Sequence, residues 1–247
     1  MCRLMGYVSG SATTFSEIGG KNFPQFSALS ALHNDGWGIA TVGEEEVTSV
    51  ILEPTPAVDS PKFIESSTTL QADAALLHFR WATTGLAVNE ENTHPFSHEQ
   101  YSFIHNGGIS PKESIDDFVD ADLFSQRRGD TDSERYFLAL VSHIRKEGLI
   151  EGTLEGVREI RNSCSFSSLN AMLLTPKFYL VICEHNNAKI PGAFENDLDY
   201  YELKYRQDEH GIVVASSGWD QSDWTTLANH RLLVVNRVTL EVEIVEI

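Results

Sequence analysis

The sequence predicts an α+β protein built from antiparallel β-sheets, with helices grouped apart from the strands. Short, apolar, β-rich runs follow one another in two groups, whereas a doubly wound parallel sheet would alternate strands with helices. This many runs would fill two sheets packed on each other, with the helices outside. The runs are 3–9, 36–42, 47–53, 74–81 and 101–105 in the first group, and 169–175, 178–184, 199–206, 211–216, 231–236 and 239–246 in the second.

The clearest helix is predicted from residue 131 onward. Apolar residues across 137–144 recur at the i, i+3, i+4, i+7 spacing that places them on one helical face. Thr131 and Glu134 have the spacing of a capping box, in which each side chain accepts a hydrogen bond from the other's backbone N–H. Further helices are predicted at 23–33, 61–69 and 151–161.

The composition and charge of the chain argue against several classes of protein and of partner. The 247 residues include 18 basic and 36 acidic side chains, and the formal net charge of −18 disfavours nucleic acid and anionic membranes as partners. The length suits one large domain over residues 2–247, with no apolar run of about 18 residues that could span a membrane. Three cysteines are too few for a disulfide framework or a zinc site, and no signal peptide is visible, so a cytoplasmic protein is expected. No motif predicts a cofactor or a metal.

The stretch "LLHFRWATTG" runs from an apolar strand into a polar segment that ends in glycine. Arg80, beside the hydroxyls of Thr83 and Thr84, has the groups needed to hold a carboxylate. The alternative is a structural ion pair for Arg80, with the threonines capping a turn. Taken alone, this stretch favours the structural interpretation.

The stretch "YSFIHNGGI" places Asn106 and Gly107 after an apolar strand. Asn-Gly is first of all a hairpin signal, and taken alone it favours a turn. The functional alternative is an oxyanion hole, formed by the Asn106 amide and the Gly107 N–H. For Asp132, helix stabilisation is the favoured interpretation, because a carboxylate in the first turn of a helix is stabilising whatever its function, and the alternative is an acidic anchor for a substrate ammonium. For His94 in "NTHPF", the structural interpretation is again favoured.

Six motifs together resemble the class II glutamine amidotransferase domain, an N-terminal-nucleophile hydrolase. They are "MCRLMGY" at 1–7, "DGWGIA" at 35–40, "RWATTG" at 80–85, "NTHPF" at 92–96, "HNG" at 105–107 and "DTDSE" at 130–134. Residues 213–235 resemble the closing hairpin of the family's stand-alone branch. The resemblance spans nearly the whole chain and implies a four-layer αββα sandwich, with a single domain over 2–247.

The resemblance implies a cysteine nucleophile. The Cys2 thiol would attack the γ-carbonyl of glutamine or of a γ-glutamyl compound, forming a thioester and later releasing glutamate. The α-amine of Cys2, freed by removal of Met1, would be the base, and an α-amine titrates at roughly 7.7–8.0, close to working pH. Asn106 and Gly107 match the oxyanion hole.

The resemblance also implies a site for the glutamyl group. Arg80 matches the clamp on the α-carboxylate, with a hydroxyl from Thr83 and a backbone contact from Trp81. Asp132 matches the anchor of the α-ammonium, and His94 matches a histidine near the glutamine pocket. One cation and one anion facing a zwitterion would select strongly for a γ-glutamyl group.

No synthase-type domain follows the glutaminase-like region, so the chain resembles the stand-alone members of the family. These include the γ-glutamyl amidase of ergothioneine synthesis and the amidase subunit of glutathione-conjugate breakdown. Hydrolysis of a small-molecule γ-glutamyl substrate is the favoured interpretation. The alternatives are a subunit that supplies ammonia to a separate synthase chain and a non-catalytic homologue, and a separate synthase or peptidase subunit is the implied type of protein partner.

Overall fold

A computed structural model describes residues 2–42, 48–190, 192–194 and 196–247. The strands are β1 (Arg3–Thr13), β2 (Trp37–Val42), β3 (Thr48–Glu53), β4 (Ala72–Phe79), β5 (Phe96–His98), β6 (Tyr101–Ser110), β7 (Ser165–Leu174), β8 (Phe178–Cys183), β9 (Leu203–Asp208), β10 (Gly211–Ser216), β11 (Thr225–Leu227), β12 (Arg231–Asn236) and β13 (Val242–Glu246). The α-helices are α1 (Phe15–Gly19), α2 (Phe23–Ala28), α3 (Pro61–Thr69), α4 (Ala121–Phe124), α5 (Asp132–Glu147) and α6 (Leu149–Ser163).

The strands form two antiparallel sheets. Within the described residues, one sheet has the order β11-β9-β10-β1-β4-β2-β3 and the other the order β13-β12-β8-β7-β6-β5. Strand β1 lies near the middle of the first sheet, with Met5 opposite Ala215 of β10 on one side and Leu77 of β4 on the other. Hydrogen bonds along both edges therefore hold the backbone that follows Cys2.

The two sheets stack on each other, and helices cover their outer faces. Leu4 and Val8 of β1 point into an apolar layer shared with the second sheet, while Met5 and Tyr7 pack outward among aromatic residues of α1–α3. Helices α5 and α6 cover the opposite outer face, against β6, β7 and β8. Because the first sheet is buried on both faces, its central strands are apolar without alternation. The predicted α+β fold of two stacked antiparallel sheets is confirmed.

Asn106 and Gly107 do not form the hairpin turn that their sequence favours when taken alone. Both residues lie inside the continuous strand β6, paired with β7, and Gly107 does not have a positive φ. A Cβ on Gly107 would overlap the backbone of Ser168 in β7. Glycine is therefore required here by the close approach of two strands and not by a turn.

Several strands also begin or end at residues other than those predicted. The run predicted at 101–105 continues to Ser110, and the run predicted at 199–206 becomes a strand only at Leu203. The last strand begins at Val242, after a turn that includes Leu240 with a φ of 58°. Residue 47 of the predicted run 47–53 lies outside the described residues, and β3 covers the rest.

Helix α5 begins where the sequence predicts, but only half of its predicted capping box forms. The Thr131 hydroxyl accepts a hydrogen bond from the Glu134 N–H at 3.0 Å. The Glu134 carboxylate does not return the bond, because it accepts from the N–H groups of Arg128 and Gly129 at 2.8 and 2.7 Å. It thereby fixes the loop that leads into the helix. None of the helices in the described residues is long and apolar enough to cross a membrane.

Candidate active site

Cys2 lies at the start of β1, where residues from both sheets meet. Its side chain is buried, and its Sγ lies 3.8 Å from the backbone oxygen of Trp81. The ladder pairs Arg3 with Phe79, so Arg80 and Trp81, just beyond the end of β4, come beside the thiol. The Cys2 backbone nitrogen donates to Asn106 Oδ1 at 2.8 Å, across the gap between the sheets.

This hydrogen bond fixes the orientation of the Asn106 amide. Since Oδ1 accepts from Cys2, Nδ2 must point elsewhere, and it is buried with no hydrogen-bond partner in the described residues. A buried amide donor without a partner is costly, and a bound ligand or water that accepts from it would remove that cost. Gly107, the next residue, has no side chain to screen its backbone and lines the cavity that contains Cys2.

Arg80 is a buried cation without a carboxylate partner. It is 3% exposed, and no carboxylate of the described residues lies within 4 Å of its guanidinium, so the structural ion pair that its sequence favours is not found there. Its nitrogens donate instead to the backbone oxygens of Ala87 at 3.1 Å and Asp35 at 3.5 Å. Burial lowers the pKa of Arg80, opposed by the nearby Cys2 and Asp35. A bound carboxylate would satisfy its charge.

Asp132 occupies the first turn of α5, at the open side of the site. Its Oδ2 accepts from the Ile109 N–H at 2.7 Å, which ties the helix to β6. The carboxylate is only partly buried, so it can also face a ligand. Helix stabilisation and ligand binding are therefore compatible roles for the same group. Thr83 lies on the exposed segment after β4 and lines the same cavity.

His94 forms part of the cavity wall. It is 3% exposed, and both of its ring nitrogens lack a hydrogen-bond partner in the described residues. Its ring stacks on His78, whose Nε2 lies 3.2 Å from the backbone oxygen of His105. Burial sets the pKa of His94 well below its ordinary value, and the neighbouring His78 and His105 lower it further. The ring is therefore neutral at pH 7, with one donor and one acceptor available.

The eight residues singled out from the sequence converge. A cavity of about 30 Å³ is lined by Cys2 and Gly107 together with Arg80, Trp81, Thr83, His94 and Asp132, and Asn106 reaches it through its bond to Cys2. A larger cavity of about 610 Å³ adjoins the small one. The two cavities share four lining residues, namely Thr83, Leu86, Gly107 and Asp132.

Sequence reasoning assigned no role to several residues that organise this site. Asp35 accepts from the Ala82 N–H at 2.8 Å and so shapes the segment after Arg80. Asn92 bridges two loops, donating to the Ala87 oxygen and accepting from the Asp130 N–H. Asp35 begins the motif "DGWGIA", and Asn92 begins the motif "NTHPF". A polar residue inside a motif that had already been singled out is the sequence signal that could have identified both.

The family model for class II glutamine amidotransferases matches residues 1–173. This chain belongs to the class II glutamine amidotransferases. It is 28% identical to the probable glutamine amidotransferase DUG3 of Saccharomyces cerevisiae over 126 residues, which cover 47% of this chain and 35% of DUG3. It is 25% identical to a glutamine–fructose-6-phosphate aminotransferase of Francisella tularensis over 100 residues, 40% of this chain and 16% of that enzyme. The matches thus span well under two thirds of either relative.

Solved structures share the fold of this class II amidotransferase. A glutamine aminotransferase class-II domain protein from Silicibacter pomeroyi has a TM-score of 0.69 at 16% identity, covering 99% of both chains. A predicted glutamine amidotransferase from Pseudomonas aeruginosa has a TM-score of 0.59 at 20% identity, covering 98% of this chain and 99% of that one. The phosphoribosylpyrophosphate amidotransferase of B. subtilis has a TM-score of 0.64 at 15% identity, covering 99% of this chain and 49% of that one. The predicted family and N-terminal-nucleophile hydrolase fold are confirmed, while the stand-alone branch stays a prediction.

Proposed function

We propose that this protein is a thiol amidohydrolase that cleaves the γ-amide of glutamine or of a γ-glutamyl compound through a thioester on Cys2. The observation that carries this proposal is the bond from the Cys2 nitrogen to Asn106 Oδ1, which leaves Asn106 Nδ2 buried and without a partner beside the thiol. A nucleophile next to an unused, fixed hydrogen-bond donor is the arrangement that acyl transfer requires.

Acylation would use both functional groups of Cys2. After removal of Met1, the free amine takes the thiol proton, directly or through one water, and Sγ attacks the γ-carbonyl carbon. The developing oxyanion receives hydrogen bonds from Asn106 Nδ2 and the Gly107 N–H. The C–N bond then breaks, the departing amine takes the proton from the Cys2 ammonium, and a thioester remains. Water adds to the thioester with the amine again as base, releasing glutamate and the free thiol.

The glutamyl group would be held by two charges of opposite sign. Arg80 binds the α-carboxylate, which supplies the partner that its buried guanidinium lacks among the described residues. Asp132 binds the α-ammonium while keeping its bond to the Ile109 N–H. His94 contributes a neutral donor and acceptor to the pocket wall. A substrate without the amino-acid zwitterion would leave these charges unmatched, which is costly at a desolvated site.

The test measures glutamate released from glutamine and from γ-glutamylalanine by the purified protein. Cys2→Ala abolishes release if the proposal holds, whereas Cys164→Ala, at another buried cysteine outside the site, retains it. Intact mass spectrometry of the active protein checks that Met1 is absent. Release that survives in Cys2→Ala would exclude this nucleophile. Weak release from glutamine alone would favour a subunit that supplies ammonia to a separate synthase.

A further inference from the structure

Two buried asparagines lie opposite each other on β6 and β7. Asn106 pairs with Asn170 in the ladder, so both side chains leave the same face of the second sheet. That face is turned towards the first sheet, and Ile104 and Met172 of the same two strands belong to the apolar layer between the sheets. Asn170 is fully buried there. A buried amide in an apolar layer needs specific hydrogen-bond partners.

Each of the two asparagines makes a hydrogen bond to backbone on the side of the first sheet. Asn106 Oδ1 accepts from the Cys2 nitrogen at 2.8 Å, and Asn170 Nδ2 donates to the backbone oxygen of Tyr201, just before β9, at 2.6 Å. Asn170 Oδ1 accepts from the Glu184 N–H at 2.9 Å, which fixes the orientation of the Asn170 amide. Asn170 is therefore a polar link between the sheets beside the link that holds the nucleophile.

Arg3 connects the segment before β9 back to the nucleophile. Its Nη1 donates to the backbone oxygen of Tyr200 at 3.0 Å, and its guanidinium carbon lies 4.2 Å from the centre of the Tyr200 ring. Both side chains are buried, so water does not compete for these contacts. A closed ring of peptide bonds, hydrogen bonds and strand pairing therefore passes through the site. Its members, in order, are Cys2, Arg3, Tyr200, Tyr201, Asn170 and Asn106.

The ring restrains the distance between the Cys2 thiol and the unpartnered Nδ2 of Asn106. Apolar contacts between the sheets are not directional, and alone they do not fix how the sheets lie against each other. Hydrogen bonds have a defined length and direction, so a closed ring of them defines that position. Groups that act together in catalysis need placement to within about 0.5 Å.

We propose that Asn170 is a positioning residue that holds Cys2 Sγ and Asn106 Nδ2 at the separation that acyl transfer requires. This inference rests on the proposed function and concerns the same site. Asn170 lines neither of the two cavities, so it acts through its neighbours in the ring. Arg80 and Asp132 lie outside the ring, and binding of the glutamyl group therefore does not depend on it.

The test measures kcat and KM for glutamate release from glutamine. Asn170→Ala opens the ring and is expected to lower kcat by about 10- to 100-fold with little change in KM, because a displacement of about 1 Å can cost that much. Asn229→Ala is the matched control. The Asn229 amide also accepts from a backbone N–H and donates to a backbone oxygen, both of His185 and both at 2.9 Å, but it lies outside the ring. This variant should keep the wild-type kcat.

A double-variant cycle separates positioning from a general loss of structure. Asn106→Ala already opens the ring, so adding Asn170→Ala to it should lower kcat little further. Equal factors for Asn170→Ala in the wild-type and Asn106→Ala backgrounds would overturn the proposal, because the effect would then not pass through Asn106.

Variants of Arg3 test the ring from its other side and leave the bond between Asn170 and Glu184 intact, so they serve even if Asn170→Ala does not fold. Arg3→Met removes the donor to the Tyr200 oxygen and should lower kcat, whereas Arg3→Lys keeps a charged donor and should restore most of it. A folded Arg3→Met variant with wild-type kcat would overturn the proposal.

Failure of the proposed function would look different from failure of this inference. Glutamate release with unchanged kcat in folded Asn170→Ala would overturn the positioning role alone and leave the amidohydrolase assignment in place. Absence of release by the wild-type protein from both glutamine and γ-glutamylalanine would overturn the proposed function and the positioning role with it.

Discussion

The imidazole ring of His94 stacks on that of His78, with ring centroids 4.1 Å apart, in the wall of the cavity that contains Cys2. Both rings are almost fully buried, and burial is the main reason why the pKa of each lies well below its ordinary value. Charge repulsion from His78, His105 and Arg80 would oppose a proton on His94 and lowers its pKa further. Protonating either ring would place a charge inside the protein without solvent to stabilise it.

We predict that the free energy of unfolding falls between about pH 6.5 and 5, and that His94→Phe makes this fall less steep. An unfolded histidine takes up a proton near pH 6.5, whereas the folded ring stays neutral, so the unfolded state binds more protons below that pH. The stability is thus complete above about pH 6.5 and is lost as the pH falls towards the folded-state pKa. Each such histidine contributes up to about 1.4 kcal/mol per pH unit. Urea unfolding at stepped pH measures the slope.

Phenylalanine preserves the ring contacts of His94 with His78 and Phe96 while removing the titratable group. His210→Gln is the control, because that histidine is exposed, and the variant should have the wild-type slope. A His94→Phe slope equal to that of the wild type would mean that the folded protein accommodates the protonated ring.

Gly107→Ala is expected to destabilise the fold far more than Gly108→Ala. A Cβ on Gly107 would overlap the backbone of Ser168, which β-sheet pairing holds in place, whereas a Cβ on Gly108 would meet Ser167 Oγ at an ordinary 3.5 Å. Overpacking of this kind costs about 1–3 kcal/mol. Urea unfolding of both variants measures the difference. Equal stabilities would show that β6 and β7 can separate at this point without cost.

Glu134→Ala should destabilise the protein by about 1–3 kcal/mol, because it leaves the N–H groups of Arg128 and Gly129 without their acceptor. Glu134 is 5% exposed, so water cannot easily replace the carboxylate. Glu147→Ala is the matched control on the exposed end of the same helix and should change the stability by less than about 0.5 kcal/mol. Thermal unfolding compares the two. A Glu134→Ala variant as stable as the control would mean that the loop finds other acceptors.

Sequence reasoning succeeds where a local pattern decides the structure. The hydroxyl of Thr131 caps α5 as its spacing to Glu134 predicts, and the apolar runs correctly indicate sheets that are buried on both faces. The family motifs predict the site for a different reason, since they contain side chains that must lie close together in the folded protein. Cys2 and Asn106 are 104 positions apart in the chain, and only the resemblance placed them together.

Sequence reasoning fails where contacts with distant parts of the chain outweigh the local conformational preference. The Asn106-Gly107 pair favours a turn in isolation, but β7 supplies a pairing partner, and both residues continue strand β6. Glu134 has the spacing of a capping box, but two N–H groups of the preceding loop compete successfully for its carboxylate.

Asn106→Asp tests the oxyanion hole directly. The substitution keeps an oxygen to accept from the Cys2 nitrogen but replaces the donor Nδ2 with a second oxygen. Because the donor acts on charge that develops only in the transition state, we expect kcat for glutamate release to fall by about 10²–10³ while KM changes little. Asn236→Asp, whose Oδ1 also accepts from backbone N–H groups but lies at the end of β12, should retain wild-type kcat. Asn106→Ala, which adds no negative charge, separates loss of the donor from electrostatic repulsion, and it should also lower kcat. An increase in KM with unchanged kcat in both Asn106 variants would instead assign this amide to ground-state binding.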